Sequence, residues 1–292
     1  MHWLRRTFLA WSLMTSALAQ QSVAGQPDAA ALVRAAIENE IKASKDDAAH
    51  FMFRSTKSSP KGSITRVYIE AKEATAGLTV AYDGKPLTPE QRQAEELRID
   101  RFIKNPDDLR KKHKQEQDNR ERTLRVLRAI PDAFLFDYAG EQPASPGVGK
   151  PGEMLTVLKF HPNPNYQPPT RVEQVLPGME GTILLDPEQK RLASIDGTLF
   201  KDVSFGWGIL GHLDKGGHFL VQQQAIRDSY WYLSRMELRF TGKIMMVKNL
   251  SIDTTELFTH VKLMPSGITF AEAIAMLKKE EPVVAQESNP KN

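Results

Sequence analysis

His212, Asp214 and His218 stand close together in the chain. Two imidazoles this close could bind a metal, with Asp214 between them in the chain. If Asp214–Gly217 forms a tight turn, the two rings can face each other. No third strong ligand stands near, and Gly216-Gly217 allows a loose backbone, so the spacing reads as ordinary loop histidines. Other reactive patterns are missing. There is no cysteine, hence no thiolate nucleophile, disulfide or Cys-ligated metal. There is no G-x-S-x-G, H-E-x-x-H or P-loop. A Ser-His-Asp triad can always be assembled from scattered residues, and nothing local singles one out here. The sequence nominates no catalytic residue, no cofactor and no metal, and the expectation is a protein that is not an enzyme.

The remaining unusual stretch is apolar. Phe205, Trp207, Ile209, Leu210 and Leu213 are separated by Gly206, Gly208 and Gly211. Glycines give the backbone freedom, and large apolar side chains are costly to leave in water. The segment therefore covers something or is itself covered. Two readings stay open: a flap over an apolar cavity, and a buried crossover that plugs one end of a sheet.

The elements that hold this segment are strands. On Arg191–Leu199 one face carries Ala193, Ile195, Gly197 and Leu199. On Tyr230–Phe240 one face carries Tyr232, Met236, Leu238 and Phe240, and the other carries Arg235, Glu237 and Arg239. Such alternation marks antiparallel strands with one wet and one covered face. Tyr82, with Leu78 and Val80, lies on the same kind of face in Gly77–Tyr82. The candidate ligand-binding residues are Phe205, Trp207, Ile209 and Leu210 with Tyr82, Met236, Leu238 and Phe240.

In chain order the pattern is one helix (Asp28–Ser44), three strands (48–56, 64–70, 77–82) and two helices (88–104 and 105–128). Strands then follow at 133–138, 154–161, 179–185, 191–200, 218–226, 230–240 and 243–252. Asp186-Pro187-Glu188-Gln189, Asp228-Ser229 and Thr241-Gly242 are read as tight turns. Thr269–Lys279 is a closing helix. Thr88-Pro89-Glu90-Gln91 has the form of a capping box with proline at the first helical position. The second helix of the pair carries many basic residues between Arg110 and Arg122, but Glu116, Asp118 and Glu121 interrupt them, which reads as a solvated face. Gly181 and Gly197 inside strands permit strong curvature. The fold expected is α+β: a large, strongly curved antiparallel meander forming an incomplete β-barrel, with helices across its concave face.

The chain has 292 residues, 40% hydrophobic and 26% charged, enough for a real core. Arg5 and Arg6, the short apolar run Thr7–Leu18 and Ala17-Leu18-Ala19 read as a secretory signal cleaved after Ala19. The run is too short to span a bilayer, and no later run is long enough. Cleavage takes the formal charge from +3 to +1, which gives no argument for nucleic-acid binding. The domain plan expected is a signal peptide at 1–19, one domain at 20–280 and a disordered tail at 281–292, in a periplasmic protein.

With these elements in place the chain resembles the LolA-like superfamily of periplasmic lipoprotein-carrier and sorting proteins. The shared features are the cleaved signal, the N-terminal helix, and strands followed by a helix pair and a long meander. It is closer to a bacterial family assigned to outer-membrane lipoprotein sorting, in which stretches like Pro162-Asn163-Pro164-Asn165-Tyr166, Met179-Glu180-Gly181-Thr182-Ile183 and Asp202-Val203-Ser204-Phe205-Gly206 recur in this order. The resemblance implies an incomplete barrel whose apolar hollow is closed by helices and loops. It also implies lipid or lipoprotein acyl chains as partners, held without covalent chemistry. No motif matches the lid arginine of the carrier proteins. The alternative is a periplasmic sensor or interaction module of the same fold, with an envelope protein as partner. The ligand and the oligomeric state are not legible.

Overall fold

The computed structural model describes residues 28–45, 50–205, 211–227, 230–245 and 248–287. Helix α1 (Ala29–Ala43) opens on Asp28, whose carboxylate accepts the Ala30 N–H. Strands β1 (His50–Ser59), β2 (Gly62–Ile69) and β3 (Ala76–Tyr82) follow, with a two-residue β4 (Lys85–Pro86) folded back on β3. Helix α2 (Pro89–Lys104) starts with both halves of the capping box in place: the Thr88 hydroxyl accepts the Gln91 N–H, and the Gln91 side chain accepts the Thr88 N–H. Helix α3 (Pro106–Ala133) is capped by Asn105 and runs on past Arg128.

The remaining strands are β5 (Phe134–Pro143), β6 (Met154–Pro162), β7 (Met179–Asp186), β8 (Arg191–Leu199), β9 (Val203–Phe205), β10 (Gly211–Leu213), β11 (His218–Arg227), β12 (Tyr230–Ile244) and β13 (Lys248–Met264). A 3-10 helix, Glu173–Gly178, precedes β7, and α4 (Phe270–Glu287) extends beyond the Lys279 end expected for it.

The thirteen strands form one antiparallel sheet in the order β4-β3-β2-β1-β13-β12-β11-β8-β7-β6-β5, with β9 and β10 as a side hairpin on β12. It is not closed, since β4 and β5 stand at opposite ends. This is the α+β architecture expected, a large antiparallel sheet that stops short of a closed barrel. The sheet is not one continuous meander, however. The early strands are inserted against the last one, through the β1–β13 ladder.

Two of the expected local features are corrected. Thr241-Gly242 is not a turn but lies inside β12, and the reversal comes after Ile244. Glycine is needed there because β10 lies alongside: a Cβ on Gly242 would fall 2.1 Å from the His212 carbonyl oxygen. The strand expected to end at Ile252 continues to Met264, pairing with β1 on its far side. The Asp228-Ser229 turn lies outside the described residues. The Asp186 turn is present, its carboxylate accepting the N–H groups of Glu188 and Gln189.

Helices cover both faces. On one face α1, the C-terminal half of α3 and the 3-10 helix pack on β5–β8, burying Val33, Ile37, Ile130, Leu158, Ile183 and Leu199. On the other face of β1–β3, α4 packs Phe270, Ile274 and Leu277 against Met52, Val67 and Ile69, joined by Ile99 of α2. Helix α2 also caps the open edge of β3. Glu95 accepts the Thr79 N–H at 2.6 Å and Arg98 donates to the Gly77 carbonyl at 2.9 Å, which blunts an edge that could otherwise pair with another chain. Burial pushes the Glu95 carboxyl up, but hydrogen bonds from Arg98 and Thr79 outweigh it and hold it below the ordinary 4.5.

Candidate ligand-binding groove

Alternation along β12 sends Leu238 and Phe240 to the face covered by α3, and β11 sends Phe219 and Val221 there. A register shift at Ser234 changes the parity, so Leu233 rather than Tyr232 continues the row toward the inner cavity. Among the described residues, the space between these strands, α3 and the 3-10 helix is not filled. It holds two cavities of about 380 and 440 Å³, which share Val126, Leu176, Met179 and Phe219 as walls. The two lie side by side along one apolar groove, with these four residues between them. The inner part reaches Ile183, Leu192 and Phe160; the outer part reaches Phe205, Leu213, Leu238, Phe240 and Ile252.

Three of the sequence-predicted residues therefore meet: Phe205, Leu238 and Phe240 line the outer cavity. Met236 lies on the same face of β12, half-buried, and lines neither cavity. Tyr82 is not brought to this place. It is 39% exposed beside Lys85, with β2, β1 and β13 between its strand and β12. Trp207, Ile209 and Leu210, and with them the flap and plug readings, lie outside the described residues, as do the signal segment and its cleavage site.

The side hairpin settles one other point. The sequence is expected to hold no G-x-G-x-x-G fingerprint, but Gly206-Trp207-Gly208-Ile209-Leu210-Gly211 has that literal spacing. A dinucleotide loop joins a strand to a helix within a βαβ unit. Here the flanking segments are β9 and β10, paired antiparallel, so the spacing does not signify a nucleotide.

Sequence reasoning missed groove residues on both the sheet, such as Phe160, Ile183, Leu192 and Phe219, and the helices. Val126, Leu127 and Ile130 of α3 and Leu176 of the 3-10 helix supply the wall opposite the sheet. Their signal was the return of apolar residues at the end of a charged helix, which reads equally well as an anchor.

The polar groups in the wall of the inner cavity are already engaged. Glu40 accepts from Arg191, from the Leu192 N–H at 3.0 Å and from the Gln223 amide at 3.2 Å. Thr123 donates to the Asn119 carbonyl. Beyond Leu233 lies a third cavity of about 290 Å³, ringed by Phe51, Phe53, Trp231, Tyr232 and Phe258. Glu70 closes it and accepts the Phe51 N–H at 3.0 Å. On the far side of Glu70 is a polar cleft containing His50, His113, Glu116 and Arg120. Burial pushes the Glu70 carboxyl above its ordinary 4.5, partly offset by the Phe51 hydrogen bond and the nearby His50 and Arg120.

His212 and His218 do not face each other over a shared centre. His212 Nε2 lies 3.1 Å from Asp214 and His218 Nε2 2.9 Å from Asp196. Among the described residues no cluster of three His, Asp or Glu side chains suits a metal, and no helix is long and apolar enough to cross a membrane.

Solved structures similar to this chain include the following two. One is a domain from Vibrio parahaemolyticus provisionally assigned as an outer membrane lipoprotein-sorting protein. The match covers 84% of this chain and 99% of that one, at 10% identity and a TM-score of 0.28. The other is a DUF1329 family protein from Desulfovibrio piger, with 81% and 94% covered, 9% identity and a TM-score of 0.27. No family model and no curated protein matches. A likeness this remote does not carry a function, which has to be argued from the groove.

Proposed function

We propose that the protein is a periplasmic carrier or binding protein that holds the acyl chain of a lipid or lipoprotein in the groove beneath α3, with no covalent chemistry. The observation that supports this reading is the pair of unfilled apolar cavities sharing four walls. Protein interiors are close-packed, and voids of this size are few and costly. Each cavity alone is within the range of small-molecule sites. The polar groups of the inner wall already have partners, so a polar metabolite would find little to bond. A hydrocarbon chain needs no such partner and gains about 0.8 kcal/mol per buried CH₂. Export through the N-terminal signal, with cleavage after Ala19, and a single domain over residues 20–280 complete the proposal.

The test is titration of the chain from Gln20 onward with a fluorescent fatty acid, alongside the Leu238→Glu variant. Saturable binding is expected for the unaltered protein. In the variant, binding is lost while unfolding stays cooperative, because Leu238 lines a hollow. If Leu238 instead sits in a filled core, the change buries an unpaired charge and cooperative unfolding collapses. That result, or no binding by the unaltered protein, rejects the reading.

A further inference from the structure

The end of the sheet where β12 turns into β13 is apolar, exposed and basic at once. Ile244 is 40% exposed and Met245 is 68% exposed. Lys243 and Lys248 flank them, both exposed, with Ile244 directly opposite Lys248 across the ladder. The described residues of this end, 241–245 and 248–251, include no carboxylate; Asp214, whose N–H donates to the Thr241 carbonyl from beside β10, is engaged by His212 at 3.1 Å. Hairpin ends are ordinarily built from small polar turn residues. Two bare apolar side chains between two lysines are an unusual choice for a surface that meets only water.

The same end is continuous with the groove. Leu238, Phe240 and Ile244 share one face of β12, and Ile252 stands opposite Phe240 on β13. Leu238, Phe240 and Ile252 are walls of the outer cavity, and Ile244 extends their row beyond it. Strand β10 runs alongside, with Leu213 opposite Gly242 and Gly211 opposite Ile244. Val172, 39% exposed, and Arg171 belong to the same cavity wall.

We infer that this end docks on an anionic phospholipid surface. Ile244 and Met245 enter the boundary between headgroups and acyl chains, and Lys243 and Lys248 meet the lipid phosphates. Cations without intervening carboxylates match anionic headgroups. The apolar row then lets a hydrocarbon chain pass between bilayer and groove without crossing water. The docking residues are not groove walls, so docking and acyl binding can fail separately.

The experiment is flotation of residues 20–292 with vesicles of phosphatidylcholine alone or mixed with phosphatidylglycerol. The N-terminal apolar run is left out because it would bind vesicles by itself. Binding is expected to the mixed vesicles and not to phosphatidylcholine, and to weaken as salt is raised. Ile244→Asp with Met245→Asp should abolish it. Lys243→Gln and Lys248→Gln should each weaken it about fivefold. Leu238→Glu should float like the unaltered protein, which separates docking from acyl binding. Thermal melts of the tip variants should be unchanged, since the altered side chains are exposed. No preference for anionic vesicles, or tip variants that float normally, overturns the inference. So does an envelope protein held through Ile244 and Met245 in the absence of vesicle binding.

Discussion

Glu40 on α1 accepts two hydrogen bonds from Arg191 on β8, from Nε at 2.8 Å and from Nη2 at 3.1 Å, and both side chains are buried. The same carboxylate takes the Leu192 N–H and the Gln223 amide. The guanidinium lies 5.4 Å from the centroid of the Trp231 ring, whose Nε1–H donates to Gln189. One acid thus fixes the helix, two strands and the end of the groove in a single arrangement.

Glu40→Ala should therefore be costly, because it leaves Arg191 charged, buried and unpaired. The expected loss is about 3–5 kcal/mol, seen as a lower urea midpoint at unchanged slope. Glu40→Leu combined with Arg191→Met should recover most of it, since apolar replacement of a buried pair is often close to neutral. A double variant as unstable as the sum of the single ones would show that the two residues do not act as a pair.

Gly181 and Gly197 stand opposite each other on β7 and β8, and they should respond differently to alanine. A Cβ on Gly181 would lie 1.9 Å from the Asp196 carbonyl oxygen, which is backbone and cannot move without opening the ladder. A Cβ on Gly197 would lie 2.3 Å from the Phe219 ring, which can turn. Gly181→Ala should cost about 3 kcal/mol or more. Gly197→Ala should cost less but weaken fatty-acid binding, because Phe219 is a wall of both cavities. Thermal unfolding and a probe titration on each variant separate the two effects. Equal losses of stability would contradict the geometry.

The raised Glu70 carboxyl predicts a pH dependence with a definite sign. Its charged form is penalised more in the folded chain than in the unfolded one. The stability it allows is fully present below the unfolded value of 4.5 and is lost as pH rises through the higher folded value. Glu70→Gln keeps an acceptor for the Phe51 N–H and removes the penalty. The variant should melt above the unaltered protein near neutral pH, and the gap should close on acidification below 4.5. A gap that widens in acid would mean that Glu70 is stabilised as a carboxylate.

Local features read well from the sequence because their causes are local. The Thr88–Gln91 capping box, the Asn105-Pro106 restart and the Asp186 turn each depend on residues within four positions. Leu238 and Phe240 were found from period-two alternation, which is also local. What escaped depends on distant segments. Glu40 and Arg191 are far apart in the chain, and neither carries a pattern that names the other. Gly242 looks like a turn residue until β10 is placed beside it. Strand β13 beyond Ile252 has one half-wet face on each side, so its alternation is blurred, and only pairing with β1 explains it.

The insertion of β1 against β13 has a consequence for how the chain is made. Ser55 hydrogen-bonds to Glu256, 201 residues later. The ladder that joins the two parts of the sheet cannot form until almost the whole described chain has been synthesised. Contacts of such high sequence separation are reached slowly, because the loop entropy is lost before the contacts repay it. Until then β1 and β12 are bare edges able to pair with a neighbouring molecule. A nascent chain of this protein therefore exposes its oldest strands for longest, and loss of β13 would leave β1 and β12 as bare edges.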